Sequence, residues 1–131
     1  MDINEPIISL RGVTKVFNTK ESEVDALIDI DLDIYQGEIY GIIGQSGAGK
    51  STLVRCINFL ERPTKGSVIF DGQNLGNLSL KELLKVRQSI GMIFQQFNLL
   101  MQRTVLRNIC YPLEIAGVPK RSEEHTSELQ S

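Results

Sequence analysis

Apolar and polar residues alternate almost without a break between Asp25 and Ile34. Ala26, Ile28, Ile30, Leu32 and Ile34 fall on one side and Asp25, Asp29, Asp31 and Asp33 on the other, with Leu27 the exception. This period of two predicts a half-buried strand with one wet face, as in an antiparallel sheet. A magnesium site on the acidic face is the rival reading, though alternation alone accounts for the pattern. Ile7–Leu10 and Val13–Phe17 read as the preceding strand, and the polar run 18–23 as a loop. Ile39-Tyr40-Gly41-Ile42-Ile43 is apolar without alternation and predicts a strand buried on both faces. Leu53, Val54, Ile57 and Leu60 then recur at helical spacing, with Arg55, Asn58 and Glu61 elsewhere.

The second half carries its own punctuation. Arg62-Pro63-Thr64-Lys65-Gly66 is a break, Ser67–Phe70 a strand, and Asp71-Gly72 a turn. Ser79-Leu80-Lys81-Glu82 has the spacing of a capping box, so a helix should start near Ser79 with Leu80, Leu83 and Leu84 on its apolar stripe. Ile90-Gly91-Met92-Ile93-Phe94 reads as another buried strand ending in Gln95-Gln96. Thr104 can cap a last helix carrying Val105, Leu106 and Ile109, which Pro112 should kink or end.

Between the predicted buried strand and the helix lies Gly44-Gln45-Ser46-Gly47-Ala48-Gly49-Lys50-Ser51-Thr52. It fits the phosphate-binding pattern G-x-x-x-x-G-K-[ST] at Gly44, Gly49, Lys50 and Ser51. Glycines allow conformations that a Cβ would block, so successive N–H groups can point inward around an anion. The following helix adds its positive end and unpaired N–H groups. Lys50 would reach the β/γ-phosphates and the Ser51 hydroxyl would hold Mg²⁺. A plain Gly-rich turn is the rival reading; strand, loop and helix in that order are the context the motif needs.

Bulk properties narrow the picture only a little. The 131 residues allow one domain at most, and 41% apolar with 23% charged residues is ordinary for a globular protein. A net charge of -2 leaves no nucleic-acid footprint in the composition. No run is long and apolar enough to span a bilayer, and the acidic start at Asp2 does not read as a secretory signal. Cys56 and Cys110 form no C-x-x-C pair, which fits a reduced, cytosolic chain; Cys56 reads as a packed residue rather than a reactive thiol. With no internal repeat, the early strands and later helices predict an α/β nucleotide-binding core with a small antiparallel layer on one side.

In this order the pieces resemble the N-terminal half of an ABC transporter ATP-binding subunit, from about Ile7 to Lys120. The markers are Phe17, the loop Gly44–Thr52, the run Gly66–Gly72, and Ile90–Gln95. The stretches Tyr40–Gly44, Arg55–Asn58, Leu60–Thr64, Phe94–Leu100, Arg103–Val105 and Pro112–Glu114 are most similar to the methionine-importing branch. The resemblance implies an α/β P-loop NTPase (RecA-like) core with an N-terminal antiparallel β subdomain, incomplete here, over residues 1–120. It implies ATP and Mg²⁺ as cofactors. Phe17 would stack on adenine where the family more often has Tyr, a plain strand residue being the alternative. Gly44, Gln45, Ser46, Gly47, Ala48, Gly49, Lys50, Ser51 and Thr52 would cradle the phosphates. Lys50 and Gln95 would take catalytic roles, and Ser51 and Gln95 would serve the metal. Implied partners are transmembrane permease subunits touching the region after Gln95, a second ATPase subunit closing head to tail around two ATP molecules, and, indirectly, a substrate-binding protein. Nucleic acid is not among them. The implied location is the cytoplasmic face of the membrane, held there peripherally.

The family's L-S-G-G-Q signature, its Walker B strand ending in Asp-Glu and its switch histidine are not found in these 131 residues; His125 is the only histidine. The polar stretch 121–131 has no apolar period and resembles the translation of a sequencing adapter, with a natural disordered tail as the alternative. The expectation is an inactive N-terminal fragment with an open sheet edge and bare apolar surface, which aggregates or folds poorly. A cooperative, reversible melt of residues 1–120 would refute it. Two other readings stay open. One is the ATPase of another ABC system, serving polar amino acids or lipoproteins; the other is a non-transport P-loop module.

Overall fold

The computed structural model describes residues 4–93 and 100–117. The chain divides into two compact units, Met1–Leu83 and Leu84–Ser131.

The first unit is built on a four-stranded antiparallel sheet in the order β2-β1-β3-β4. Its strands are β1 (Ile8–Asn18), β2 (Glu23–Ile34), β3 (Lys65–Phe70) and β4 (Gln73–Asn74). β1 runs unbroken through the two predicted stretches, and β3 and its turn fall where the sequence puts them. Phe70 faces Gln73 across Asp71-Gly72, both at positive φ (49° and 77°), the conformation that a two-residue hairpin of right-handed twist requires. Leu10, Val13, Val68 and Leu75 are fully buried and form the core with Leu27, Leu53, Cys56 and Phe59.

β2 departs from strict alternation. Leu27 is buried, whereas Ile28, expected to face inward, is 65% exposed. The register against β1 slips between Val13↔Ile30 and Lys15↔Leu27, where β2 carries an extra residue. Asp29 sits there at a φ of 49°, with its N–H donating to Thr14 Oγ1 at 3.0 Å. A bulge of one residue reverses which side chains face the core. The acidic side of β2 is engaged by protein donors. Gly12 N–H donates to Asp31 at 2.7 Å, and Asp33 accepts from Ser9 Oγ at 2.7 Å and Arg11 at 2.8 Å. The Ser9 hydroxyl, and after it the Arg11 guanidinium, hold the Asp33 carboxyl below its ordinary range.

Helix α1 (Lys50–Ile57) follows the glycine-rich loop. It is shorter than the apolar stripe predicts, because Phe59 at a φ of 61° turns the chain away. Its buried residues are Leu53 and Cys56; Val54 and Leu60 are 37% and 47% exposed. Burial pushes the Cys56 thiol pKa up, consistent with a packing role.

Ile39–Ile43 is not a strand, nor is the described part of the second apolar run, 90–93. Ile39 and Ile93 are fully exposed and Ile43 is 96% exposed. A central strand exists only through its ladder bonds, and among the described residues neither segment has a paired neighbour. The expected bare apolar surface is therefore present, but as irregular backbone.

Helix α2 (Leu80–Gln88) crosses the boundary between the units. It begins with the predicted box: Ser79 N–H donates to Glu82 Oε2 at 2.9 Å, and Glu82 N–H to Ser79 Oγ at 3.2 Å. Of its predicted stripe only Leu83 is buried; Leu80 and Leu84 are 70% and 51% exposed. In the second unit Thr104 caps α3 (Val105–Ile115), its side chain accepting from Arg107 N–H at 3.2 Å. α3 passes through Pro112 and continues to Ile115. Pro112 removes one hydrogen bond, and the ends on either side of it are tied together: Arg103 and Arg107 both bond Glu114, at 2.6 and 3.1 Å. Those bonds, Arg103 first, lower the Glu114 pKa. Asn108 pins the preceding loop, accepting from Leu100 N–H at 2.7 Å and donating to Thr104 O at 2.9 Å.

The exposed isoleucines generate a prediction. Replacing Ile39 and Ile43 together with Lys should reduce concentration-dependent light scattering by the 131-residue chain several-fold, without loss of the circular dichroism of the β-sheet. Unchanged scattering would show that these side chains do not drive self-association.

Candidate functional site

The nine residues of the glycine-rich loop run from irregular backbone into the first turn of α1. Gly44 to Ala48 are exposed, and Gly49, Lys50 and Thr52 are partly covered. Ala48 N–H closes a turn onto Gln45 O at 3.1 Å. The Lys50 ammonium then folds back over the loop and donates to Gly44 O at 2.5 Å and Gln45 O at 2.6 Å. The Lys50 cation, placed by α1, is thus held against the opening of the loop.

Gly49 is the hinge of this arrangement. It is the N-cap of α1, in the left-handed region at a φ of 96°. A Cβ there would collide with the Ala26 carbonyl oxygen and would crowd Leu27 Cδ2 at 3.3 Å. Only glycine lets the loop come this close to β2 while turning into the helix. No side chain caps α1, and its first turn holds no acidic residue. The N–H groups of Lys50, Ser51 and Thr52 have no acceptor within the helix. With the positive end of the helix and the adjacent ammonium, they make a site suited to an anionic phosphate. The Ser51 hydroxyl, at the exposed first turn, could serve a metal ion bound to that phosphate.

Phe17 and the loop meet neighbouring parts of β2. Phe17 pairs with Val24, two residues before Ala26, whose carbonyl faces Gly49. The Phe17 ring is partly exposed, with Lys15 Nζ 5.1 Å from its centroid. Lys15 was not among the sequence candidates, although a period of two already places it on the same face as Phe17. Ala26 and Leu27, the seat of Gly49, were also missed, because only the fold brings them to the loop. Gln95 lies outside the described residues. Among those described, no group of three or more His, Cys, Asp or Glu could hold a metal ion.

The sequence matches the ABC transporter family over residues 27–131. The methionine import ATP-binding protein MetN of Halalkalibacterium halodurans is 58% identical over 118 residues, covering 90% of this chain and 35% of that protein. MetN 1 of Bacillus cereus is 56% identical over 122 residues, covering 93% and 35%. The chain thus spans about a third of the length of these curated relatives. Among solved structures, a dimeric post-hydrolysis state of the ATP-binding cassette MJ0796 bound to ADP and Pi superposes with a TM-score of 0.78 at 40% identity, over 82% of this chain and 47% of that one. CbiO1 from Clostridium perfringens, part of the cbiONQ transporter complex, gives 0.73 at 28% identity, over 93% and 47%.

The contact at Gly49 makes a sharp expectation. Gly49→Ala should lower unfolding stability by about 1–3 kcal/mol, from its left-handed backbone and the clash with Ala26. Gly41→Ala, which meets nothing within 4 Å, should change it far less. Equal losses in chemical denaturation would show that the close approach does not constrain the fold.

Proposed function

This chain belongs to the ABC transporter family, and we propose that it supplies the nucleotide-binding loop of an importer ATPase whose cargo is methionine. The names of its relatives support the cargo. The observation that carries the nucleotide reading is the Lys50 ammonium, held by the Gly44 and Gln45 carbonyls beside an uncapped helix start. In this reading MgATP supplies a phosphoanhydride bond whose cleavage is coupled to transport.

The chain's own residues bind and orient. Backbone N–H groups from Gly44 to Thr52 cradle the phosphates, and Lys50 neutralises their charge. Ser51 holds the metal, and Gln95 adds a neutral oxygen to it and orients water. Phe17 offers a ring face to the adenine. Positioning and charge neutralisation do the catalytic work in such sites. The groups that complete hydrolysis come from outside these 131 residues, so the 131-residue polypeptide alone is expected not to turn over ATP. The remaining partners are a second copy, permease subunits touching the region after Gln95 and, indirectly, a substrate-binding protein; nucleic acid has no part. The site of action is the cytoplasmic face of the membrane. Among the described residues no helix is long and apolar enough to cross a bilayer, consistent with peripheral attachment.

Lys50→Ala in the full-length protein should weaken MgATP binding about tenfold or more, as expected for losing a charge-assisted contact. Equilibrium dialysis with labelled ATP reads this directly. An unchanged dissociation constant would remove the ammonium from the site and the proposal with it.

A further inference from the structure

We propose that Lys15 is a positioning residue for the purine ring of the nucleotide, acting through Phe17; this rests on the reading of Phe17 given above. Strand periodicity places the two side chains on one face of β1, and the Lys15 ammonium lies 5.1 Å from the Phe17 ring centroid. At that distance the cation is drawn to the negative face of the ring. It covers one face of a ring that is itself partly exposed, and in this proposal the other face takes the flat partner. It also draws electron density from the ring, which favours stacking on an electron-rich purine.

The ammonium is fixed from behind. It donates to Arg62 O at 2.9 Å and lies 3.5 Å from Glu61 Oε2, and the Lys15 side chain is only 16% exposed. Glu61 and Arg62 belong to the turn that leaves α1, and that turn is tied to β1. Thr64 N–H donates to Thr14 O at 2.8 Å, Val16 N–H donates to Thr64 Oγ1 at 3.0 Å, and the Arg62 guanidinium lies 4.9 Å from the ring centroid of buried Phe59. One end of α1 therefore carries the phosphate-binding amides and Lys50. The segment leaving its other end holds the cation that seats Phe17. Lys15 links the base-binding ring to the turn that follows the phosphate-binding helix, so both ends of a purine nucleotide are positioned by α1 and the segment leaving it.

The test uses the full-length protein and two probes, MgATP and magnesium tripolyphosphate, which shares the phosphates and lacks the base. Lys15→Met, which keeps the stem and removes the cation, should weaken MgATP about fivefold while changing tripolyphosphate binding less than about twofold. Lys15→Arg should restore MgATP binding to within about twofold of the natural protein. Glu61→Gln, which leaves Lys15 in place and loosens its anchor, should shift MgATP in the same direction by less. In a Phe17→Leu background, Lys15→Met should have no further effect. Equal weakening of both probes by Lys15→Met would assign Lys15 a merely structural role and overturn the proposal, as would no weakening of either. If Phe17→Leu weakens MgATP selectively and Lys15→Met does not, only the role of Lys15 falls. If Phe17→Leu leaves the ratio of the two affinities unchanged, the adenine reading of Phe17 falls and carries this one with it.

Discussion

The close approach of Gly49 to the Ala26 carbonyl is the constraint on which the rest of the site depends. It is a contact defined by a missing atom, since any Cβ at that position would overlap the carbonyl oxygen. The contact seats the start of α1 on β2. From there the helix start presents its free N–H groups at the loop, and the next residue, Lys50, sends its ammonium back over the loop. Moving Gly49 outward would take the amide donors and the cation with it, because all of them hang from the same turn of backbone.

The sheet is shaped to receive that contact. Asp29, in a left-handed conformation stabilised by Thr14, shifts the phase of β2 and turns Leu27 inward beneath the loop. The acidic residues on the other face hold β1 to β2 through Gly12, Ser9 and Arg11. The same strand thus carries a structural carboxylate ladder at one end and the seat of Gly49 nearer the other. On its neighbour β1, Phe17 and Lys15 stand close to that seat in register.

What the sequence made legible was local. The Asp71-Gly72 hairpin, the Ser79–Glu82 capping box and the Thr104 cap are each set by residues within a few positions of one another, and each forms as the sequence predicts. The loop motif is local too, and Gly47 and Gly49 stand at positive φ, where a Cβ is disfavoured. The misses came where distant chain decides. Period two misplaced Ile28 and Leu27, because the bulge at Asp29 belongs to the pairing of β2 with β1 rather than to β2 alone. Ile39–Ile43 has the composition of a central strand but no paired neighbour among the described residues, and composition cannot supply one. Pro112 does not end α3, which runs on to Ile115 with Arg103 and Arg107 bonded to Glu114 across it; that outcome is decided locally. Lys15 escaped notice because a lysine in a strand is ordinary until the turn after α1 is seen to grip it.

The account centres on main-chain amides at the mouth of α1, and amide chemical-shift mapping of the full-length protein titrated with MgATP addresses them one by one. The largest shifts should fall on the N–H groups between Gly44 and Thr52, with smaller ones at Ala26 and Leu27, which lie against Gly49. Saturable shifts confined to other parts of the chain, with Gly49, Lys50 and Ser51 unmoved, would contradict it.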